Sequence, residues 1–207
     1  MTNKKTLLHV GPSICTIRNT TAGFNDGQWI ELRYDIDPSV QPDVIGSMTD
    51  MSAVPSNSVD AIFSSHNIEH LYPHEVSITL AEFLRVLKPD GFVVLTCPDL
   101  QSVAKLIAED KLDEAAYQSP AGPIAPLDIL YGHRAAMARG NLYMAHRCGF
   151  TGKTLIQAFL NADFKRAIAT HRESPCFDLW IVATKEMTSD KAMLAYSKAH
   201  FPHSSGQ

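Results

Sequence analysis

Short apolar segments that favour β-strands alternate along this chain with stretches of helical periodicity. The strand-like segments are rich in β-branched and aromatic residues and are bounded by turn-forming residues. They lie at residues 6–10, 29–36, 44–46, 59–64, 92–97, 164–170 and 177–184. Strands that alternate with helices are typical of α/β proteins with a mostly parallel sheet. The pattern therefore predicts an α/β fold with seven strands.

Three of the intervening segments have the periodicity of amphipathic helices. The clearest lies between the fourth and fifth predicted strands, where one helical face carries Val76, Leu80, Phe83, Leu84 and Leu87. A second helix is predicted directly after Asp99, because aspartate is well suited to cap a helix N-terminus. A third precedes the sixth strand and carries Leu155, Ile156, Phe159 and Leu160.

Two segments interrupt the alternation. Residues 13–27 (SICTIRNTTAGFNDG) take the place of the first crossover helix but lack helical periodicity, so we expect a loop there. Residues 111–150 follow the fifth strand, and their SPAGPIAP stretch contains prolines that disrupt a regular helix. Long loops in compact domains are usually lids or binding loops. We therefore predict a single domain over residues 1–207, with a substrate-covering insertion at 111–150 and a C-terminal tail at 186–207.

The composition fits one globular domain and narrows the class of partner. The chain has 207 residues, of which 45% are hydrophobic and 19% are charged, as in ordinary folded proteins. Its formal net charge is -4, and its basic residues form no cluster longer than Lys4-Lys5. A basic surface that tracks a phosphate backbone is therefore not indicated, and we expect no nucleic-acid partner.

The cysteines and the apolar runs predict a cytoplasmic location. Cys15, Cys97, Cys148 and Cys176 are widely separated and form no Cys-x-x-Cys pair, which argues against a zinc cluster. Buried free thiols in a reducing compartment are the expected alternative. The residues before Gly11 contain too few apolar side chains for a secretory signal, and no stretch approaches the ~18 apolar residues of a membrane span. No membrane association is expected.

Polar and acidic residues follow several predicted strands, at the edge where parallel sheets bind ligands. The first strand runs into Gly11-Pro12-Ser13, the second ends near Asp35 and Asp37, the third precedes Asp50, and the fourth runs into Ser65-His66. A carboxylate after the second strand can accept both hydroxyls of a ribose, and one after the third can accept the adenine amine. Taken singly, each aspartate is also a plausible turn former or helix cap. Together they favour an adenosine pocket.

The same stretches resemble a known family. In order, LLHVGPS, ELRYDID, SMTDMSAVPSNSVDAIFSSHNIEHL and EFLRVLKPDGFVVLTCPDL are similar to the class I S-adenosylmethionine-dependent methyltransferases. The closest likeness is to the small bacterial branch with Glu-His-Leu after the fourth strand. The resemblance covers residues 7–100 well and residues 150–185 more loosely. It implies a single Rossmann-like, doubly wound domain that binds S-adenosyl-L-methionine and methylates a small or medium-sized acceptor.

The resemblance also implies roles for individual residues. Asp35 would hold the ribose, with Ile36 beside the adenine and Asp37 next to it. Asp50, five residues before Pro55, would bind the adenine amine, and Met51 would flank the ring. Ser65 and His66 would line the methionine end of the cofactor. The glycine-rich loop of the family is reduced here to Gly11 followed by Pro12, which is a departure from the family pattern.

Methyl transfer from a sulfonium needs alignment of the acceptor, and a base only where the acceptor loses a proton. His66 is the best-placed candidate base, beside the predicted methyl group. Within the insertion, His146 and Arg147 are further candidate catalytic residues, and Arg134, Arg139 and Arg147 are candidate clamps for an anionic acceptor. Solvent-exposed loop residues are the alternative. His66, Glu69 and His70 also suggest a metal site, but Pro73 interrupts any continuous helix to His74 and no set with zinc spacing follows, so no metal is expected.

Two other functions remain open at this point. A binding module could keep the cofactor pocket as a sensor without turnover, which the reduced glycine loop would suit. A nicotinamide-dependent oxidoreductase shares the acidic residue after the second strand, but it needs Gly-x-Gly-x-x-Gly and a helix N-terminus for the pyrophosphate, and neither is evident. The acceptor and the oligomeric state are not specified by these patterns.

Overall fold

The computed structural model describes residues 4–202 as a sheet of seven strands flanked by helices, with a separate hairpin. The strands are β1 Lys5–Val10, β2 Trp29–Asp35, β3 Val44–Ile45, β4 Val59–Ser65, β5 Leu87–Pro98, β6 Tyr117–Ser119, β7 Gly122–Ile124, β8 Arg166–Arg172 and β9 Asp178–Thr184. The α-helices are α1 Pro73–Val86, α2 Leu100–Ala108, α3 Pro126–Tyr131, α4 Arg134–Ala138, α5 Gly152–Asn161 and α6 Asp190–His200.

The strand order places a topological switch point between the first and fourth strands. The large sheet runs β3-β2-β1-β4-β5-β9-β8, with β1 to β5 parallel and β9 antiparallel to both of its neighbours. From β1 the chain builds outward through β2 and β3, and then returns to place β4 on the other side of β1. Loops leaving β1 and β4 therefore diverge and open a crevice at their carboxyl ends, where such sheets bind ligands.

Helices or turns cover both faces of the sheet, because alternate strand residues point to opposite sides. On one face, Leu8 and Ile62 pack with Phe83 of α1 and Phe159 of α5 in the larger core cluster. On the other, Leu7, Ala61 and Phe63 pack with Phe24 and with Met193 of α6. The predicted α/β, Rossmann-like, doubly wound and mostly parallel sheet is confirmed.

The predicted elements agree with the structure except at their boundaries. The seven large-sheet strands lie where the pattern placed them, although β5 starts earlier, at Leu87, with a register shift opposite residues 59–61. The side chain of Asp99 caps α2 by accepting from the Gln101 N–H at 3.1 Å. The loop predicted for residues 13–27 contains two 3₁₀ turns, Ile17–Asn19 and Ala22–Phe24, and no α-helix.

The insertion at residues 111–150 is folded. The proline-rich stretch forms the β6–β7 hairpin, and α3 and α4 follow it. Ile124 and Ile129 of this segment pack with Val103 of α2 and Phe177 in a third apolar cluster. The segment expected as a tail contains α6, and its last residues, 203–207, lie outside the described part of the chain.

Two expectations from the sequence concern the state of the cysteines and membrane-spanning segments. All four cysteines are free thiols, as expected, but only Cys97 is buried, whereas Cys15 is exposed and the other two are half-buried. Among residues 4–202, no helix combines the length and apolar character needed to cross a membrane.

His200, near the end of α6, is a buried group that titrates. It is 4% exposed, its Nδ1 lies 2.6 Å from the Thr21 hydroxyl, and its ring packs on Phe24 and Phe92. Burial lowers the pKa of His200 to about 4, against a smaller opposing effect of the Asp26 charge. The folded state therefore strongly favours the neutral ring.

We expect His200→Gln to reduce the pH dependence of stability. An unfolded histidine takes up a proton near pH 6.5, so between about pH 6.5 and 4 the unfolded chain binds more protons and stability falls as pH falls. This group alone should lower the free energy of unfolding by about 2 to 3 kcal/mol between neutral pH and pH 4.5. Urea unfolding at neutral pH and at pH 4.5 should therefore show a smaller acid loss in the variant. Equal acid losses in the two proteins would contradict the assignment.

Candidate active site

The main cleft of the molecule lies at the switch point. It has a volume of about 600 Å³ and is bordered by the loops that leave β1, β2 and β4 and by part of the insertion. Eight of the candidate residues line it: Gly11, Pro12, Asp35, Ile36, Asp37, Ser65, His66 and Arg147. The carboxyl ends of the strands thus bring together residues that are far apart in the sequence.

Gly11 turns the chain at the end of β1 in a conformation that suits glycine. Its φ is +64°, and its N–H donates to the Tyr34 carbonyl at 2.8 Å. A Cβ added to Gly11 would lie 2.3 Å from Oδ1 of Asn67. Glycine is therefore required here both by the backbone and by the close approach of the β4 loop.

Asp35, at the end of β2, joins two of the loops that border the main cleft. Its buried carboxylate accepts from the Ser13 N–H at 2.9 Å and from the Asp37 N–H at 3.0 Å. Each oxygen keeps a further lone pair, since an ionised carboxylate has about four acceptor positions. Asp37 is exposed and caps the next 3₁₀ turn, and its hydrogen bonds from Ser39 lower the pKa of its carboxyl.

Asp50 and Met51 do not reach the main cleft, which corrects the position expected for both. Asp50 is exposed and its carboxylate accepts from the Ser52 N–H at 3.1 Å, whereas Met51 is fully buried in the core. The Tyr34 hydroxyl donates to the Ser47 and Asp50 carbonyls, both at 2.9 Å, and fixes the turn between them. As a result, the cleft wall after β3 is formed by residues 46–49.

The loop after β4 presents His66 to the main cleft. His66 has a φ of +54°, its N–H donates to the Thr96 carbonyl at 2.9 Å, and its side chain is 48% exposed. The hydroxyl of Ser65 is paired with that of Thr96 at 2.8 Å. Together these contacts to β5 hold the loop and orient the His66 ring.

A buried carboxylate faces the His66 ring. Glu69 is 1% exposed, and its Oε1 lies 3.3 Å from Nδ1 of His66. Burial disfavours the charged form of each group, but the opposite charge of the partner outweighs it, so the pKa of His66 is raised and the pKa of Glu69 is lowered. When the neutral ring carries its proton on Nδ1, on the side of Glu69, Nε2 of His66 has a free lone pair.

The insertion brings His146 and Arg147 to the same region. The Arg147 N–H donates to the Glu69 carbonyl at 2.8 Å, and its Nη1 donates to the His70 carbonyl at 2.9 Å. The guanidinium also lies 4.7 Å from the ring centre of Tyr72. His146 is half-buried and its pKa is lowered, mainly by burial. The insertion is therefore anchored to the β4 loop by specific contacts.

Arg134 is not free to clamp an acceptor. Its Nε donates to Asp128 at 2.8 Å, and its Nη1 donates to Asp113 at 3.1 Å. These two contacts use the guanidinium within the insertion, and the residue lines neither the main cleft nor the neighbouring one. Arg139 is exposed and lines neither cleft, so Arg147 is the remaining candidate clamp.

Sequence reasoning missed Asn67, which connects the two central strands. Its amide nitrogen donates to the Val10 carbonyl at 3.1 Å, the Ser64 hydroxyl at 3.2 Å and the Ser65 carbonyl at 2.9 Å. Its position directly after the strand-end pair Ser65-His66 was the available signal. Asn67 fixes the distance between the β1 and β4 loops, and with it the width of the crevice.

Comparison with known families supports the resemblance. A family model described as a methyltransferase domain matches residues 30–95, about a third of the chain, from the start of β2 into β5. Among curated proteins, no sequence matches the chain significantly. The match includes Asp35 and the whole β4 loop with His66.

Solved structures share the fold at low sequence identity. A SAM-dependent methyltransferase from Methanosarcina mazei is 15% identical with a TM-score of 0.55, over 89% of this chain and 94% of that one. The 1,6-didemethyltoxoflavin-N1-methyltransferase of Burkholderia thailandensis, solved with S-adenosylhomocysteine, is 14% identical with a TM-score of 0.57, over 89% and 72%. A chain from the Haloferax volcanii complex of the Trm112 methyltransferase activator is 13% identical with a TM-score of 0.56, over 91% and 85%.

The domain match and the fold together bear on the class of protein. They confirm the predicted likeness to a methyltransferase domain, over residues 30–95, and the fold that the class I methyltransferases share.

Proposed function

We propose that this protein is a class I S-adenosylmethionine-dependent methyltransferase that methylates a small or medium-sized acceptor, with the cofactor in the main cleft. The observation that carries the proposal is the meeting of Asp35, Gly11 and His66 around one crevice at the switch point. The cleft volume of about 600 Å³ is in the range of small-molecule and cofactor sites. The remaining lone pairs of Asp35 suit the ribose hydroxyls.

The cofactor orientation follows from the positions of these residues. With the ribose on Asp35, Ile36 and the segment 46–49 would flank the adenine, and Pro12 and Gly11 would border the methionine portion. Ser65 and His66 would then lie at the reactive end. Bound S-adenosylmethionine supplies an electrophilic methyl group on a sulfonium sulfur.

The residues of the chain position the acceptor and receive its proton. They would hold the acceptor in line with the methyl group that the bound cofactor would supply, with S-adenosylhomocysteine as the leaving group. An acceptor that carries a proton on its nucleophilic atom would pass it to Nε2 of His66. The Glu69 carboxylate, 3.3 Å from Nδ1, would stabilise the resulting imidazolium through its opposite charge.

Arg147 and His146 would close the acceptor end. Arg147 lines the main cleft and is tied to the β4 loop through two backbone carbonyls, which leaves the rest of its guanidinium for an anionic group. His146 lines a second cleft of about 240 Å³ that His66 also borders. An acceptor held between these side chains would lie next to the methyl group.

The reducing cytoplasm is the proposed location. All four cysteines are free thiols, which fits a compartment that keeps thiols reduced. No nucleic-acid partner is proposed, since the net charge of -4 gives no basic excess.

Calorimetric titration with S-adenosylmethionine, S-adenosylhomocysteine and NAD tests cofactor use. We expect binding of both sulfur compounds and none of NAD; binding of NAD alone would contradict the proposal. Incubation with methyl-labelled cofactor and a small-molecule fraction of a cell extract tests turnover. Transfer of label to an acceptor supports the enzyme, and binding without transfer would favour a cofactor sensor.

We expect Asp35→Ala to weaken S-adenosylhomocysteine binding about 30-fold. Hydrogen bonds to a charged group contribute about 1.5 to 3 kcal/mol, and about 2 kcal/mol corresponds to that loss. The matched variant is Asp37→Ala, which removes a neighbouring carboxylate that is exposed and bonded to Ser39. Calorimetry should show a smaller loss for Asp37→Ala. A larger loss in that variant would move the ribose site to Asp37.

A further inference from the structure

The side chain of Glu69 is a buried carboxylate. It is 1% exposed, and among residues 4–202 neither of its side-chain oxygens has a hydrogen-bond partner of good geometry. An ionised group in this situation is costly unless a positive charge compensates it. The half-exposed ring of His66, 3.3 Å from Oε1, is the nearest charge partner, and it faces only one of the two oxygens.

Two histidines from different parts of the chain complete a cluster with this carboxylate. Glu69, His70 and His146 each offer one ligand atom, and these three atoms lie within 4.8 Å of one another. The His70 and His146 rings have centroids 5.0 Å apart and an interplanar angle of 62°. Ligand atoms of a tetrahedral ion at about 2.0 to 2.2 Å lie about 3.4 Å apart, so each pair of these atoms would close in by at most about 1.4 Å on binding a common ion.

Backbone carbonyls orient both rings. Nδ1 of His70 lies 3.2 Å from the Ala145 carbonyl, and Nδ1 of His146 lies 2.8 Å from the Ile129 carbonyl. A carbonyl can only accept, so each Nδ1 carries the proton and each Nε2 has a free lone pair. Histidines that bind metals usually donate the other ring N–H to a carbonyl or carboxylate in this way.

We propose that Glu69, His70 and His146 bind a divalent transition-metal ion, with Zn²⁺ as the best match. Two imidazoles and one carboxylate form the donor set of open zinc sites, in which three protein ligands leave a position for a further ligand. Mg²⁺ and Ca²⁺ prefer all-oxygen coordination and suit this set less well. Glu69 and His70 are close in the sequence and suggested a metal site, but the sequence did not predict the third ligand, because His146 comes from the insertion.

The surroundings fit this assignment. All three residues line the second cleft, which gives the ion an open side. If the proposed function holds, the open position faces the acceptor, and the ion would bind an oxygen, nitrogen or sulfur atom of it.

Metal binding by the full-length protein tests this inference without any acceptor. After treatment with a chelator and dialysis, titration calorimetry with Zn²⁺ near neutral pH should show one equivalent bound, and Co²⁺ should give visible absorption bands of a low-coordinate site. Loss of an outer-shell partner typically weakens metal binding about 10- to 100-fold, and loss of a direct ligand should weaken it at least as much. His146→Asn and Glu69→Gln should therefore each weaken Zn²⁺ binding about 100-fold.

His74→Asn is the matched control, because His74 is exposed on α1 and stacks on Tyr72 away from the cluster. It should bind Zn²⁺ like the unaltered protein. Absence of stoichiometric binding, equal binding by His146→Asn, or loss in His74→Asn would each overturn the proposal. If Glu69→Gln does not fold, His146→Asn and the Co²⁺ spectrum decide. S-adenosylhomocysteine titration of the same samples reports separately on the proposed function.

Discussion

His66→Asn is expected to reduce the rate of methyl transfer by about 100-fold or more, while S-adenosylhomocysteine binds as before. General-base catalysis typically contributes about 10²- to 10⁴-fold. His66 is the candidate base because its ring is half exposed at the junction of the two clefts and its Nδ1 faces Glu69. Asparagine also tolerates the φ of +54° at this position, so the backbone should be retained.

The measurement separates chemistry from binding. Single-turnover rates with an acceptor found in the labelling experiment should fall, whereas the calorimetric Kd for S-adenosylhomocysteine should not change. His133→Asn is a suitable comparison, since His133 borders the second cleft but not the main one, and we expect a smaller loss of rate. An unchanged rate in His66→Asn would show that the acceptor needs no base. A parallel loss of binding would make the residue structural.

The fold was predictable because the relevant signals are local. A parallel sheet buries both faces of its central strands, so these strands need consecutive apolar residues. The β4 sequence VDAIFSS contains such a run and is therefore recognisable as a strand. The absence of an α-helix in residues 13–27 was equally visible, because helical periodicity is a property of adjacent turns. Boundaries were less certain where a register shift changes the pairing, as between β4 and the first residues of β5.

The site was predictable only as far as it depends on strand ends. Asp35 and His66 follow directly from strand order, since parallel strands place their carboxyl ends at one edge. Asp50 does not, because a tyrosine hydroxyl on the neighbouring strand fixes the turn in which it lies. That contact joins residues 16 positions apart and leaves no periodic trace.

The contribution of the insertion could not be read from the sequence for a similar reason. Arg147 reaches the site through hydrogen bonds to two backbone carbonyls, and backbone acceptors carry no residue signature. His146 meets Glu69 and His70 only because the insertion folds back over the β4 loop. Pairings of this kind depend on tertiary structure, so the spacing rules for metal ligands did not detect them.

The reduced glycine loop gives the second large effect: Gly11→Ala is expected to destabilise the protein by about 3 kcal/mol and to weaken S-adenosylhomocysteine binding. A left-handed φ of +64° costs about 1 to 2 kcal/mol with a Cβ, and overpacking typically adds about 1 to 3 kcal/mol. The added methyl group would collide with the Asn67 amide at 2.3 Å. Because that amide donates to three acceptors on β1 and β4, it can move aside only by breaking those contacts.

Gly27→Ala separates the collision from the backbone strain. Gly27 has a φ of +80°, but a Cβ there would meet nothing within 4 Å, and the residue lies outside the main cleft. Gly27→Ala should therefore lower the free energy of unfolding only by the backbone strain, about 1 to 2 kcal/mol, and leave the affinity for S-adenosylhomocysteine unchanged. Urea unfolding and calorimetry on both variants give the comparison. The alternative outcome is that Gly11→Ala and Gly27→Ala have the same stability and the same affinity for S-adenosylhomocysteine. Gly11 would then serve only the turn after β1, and its contact with Asn67 would not set the width of the crevice.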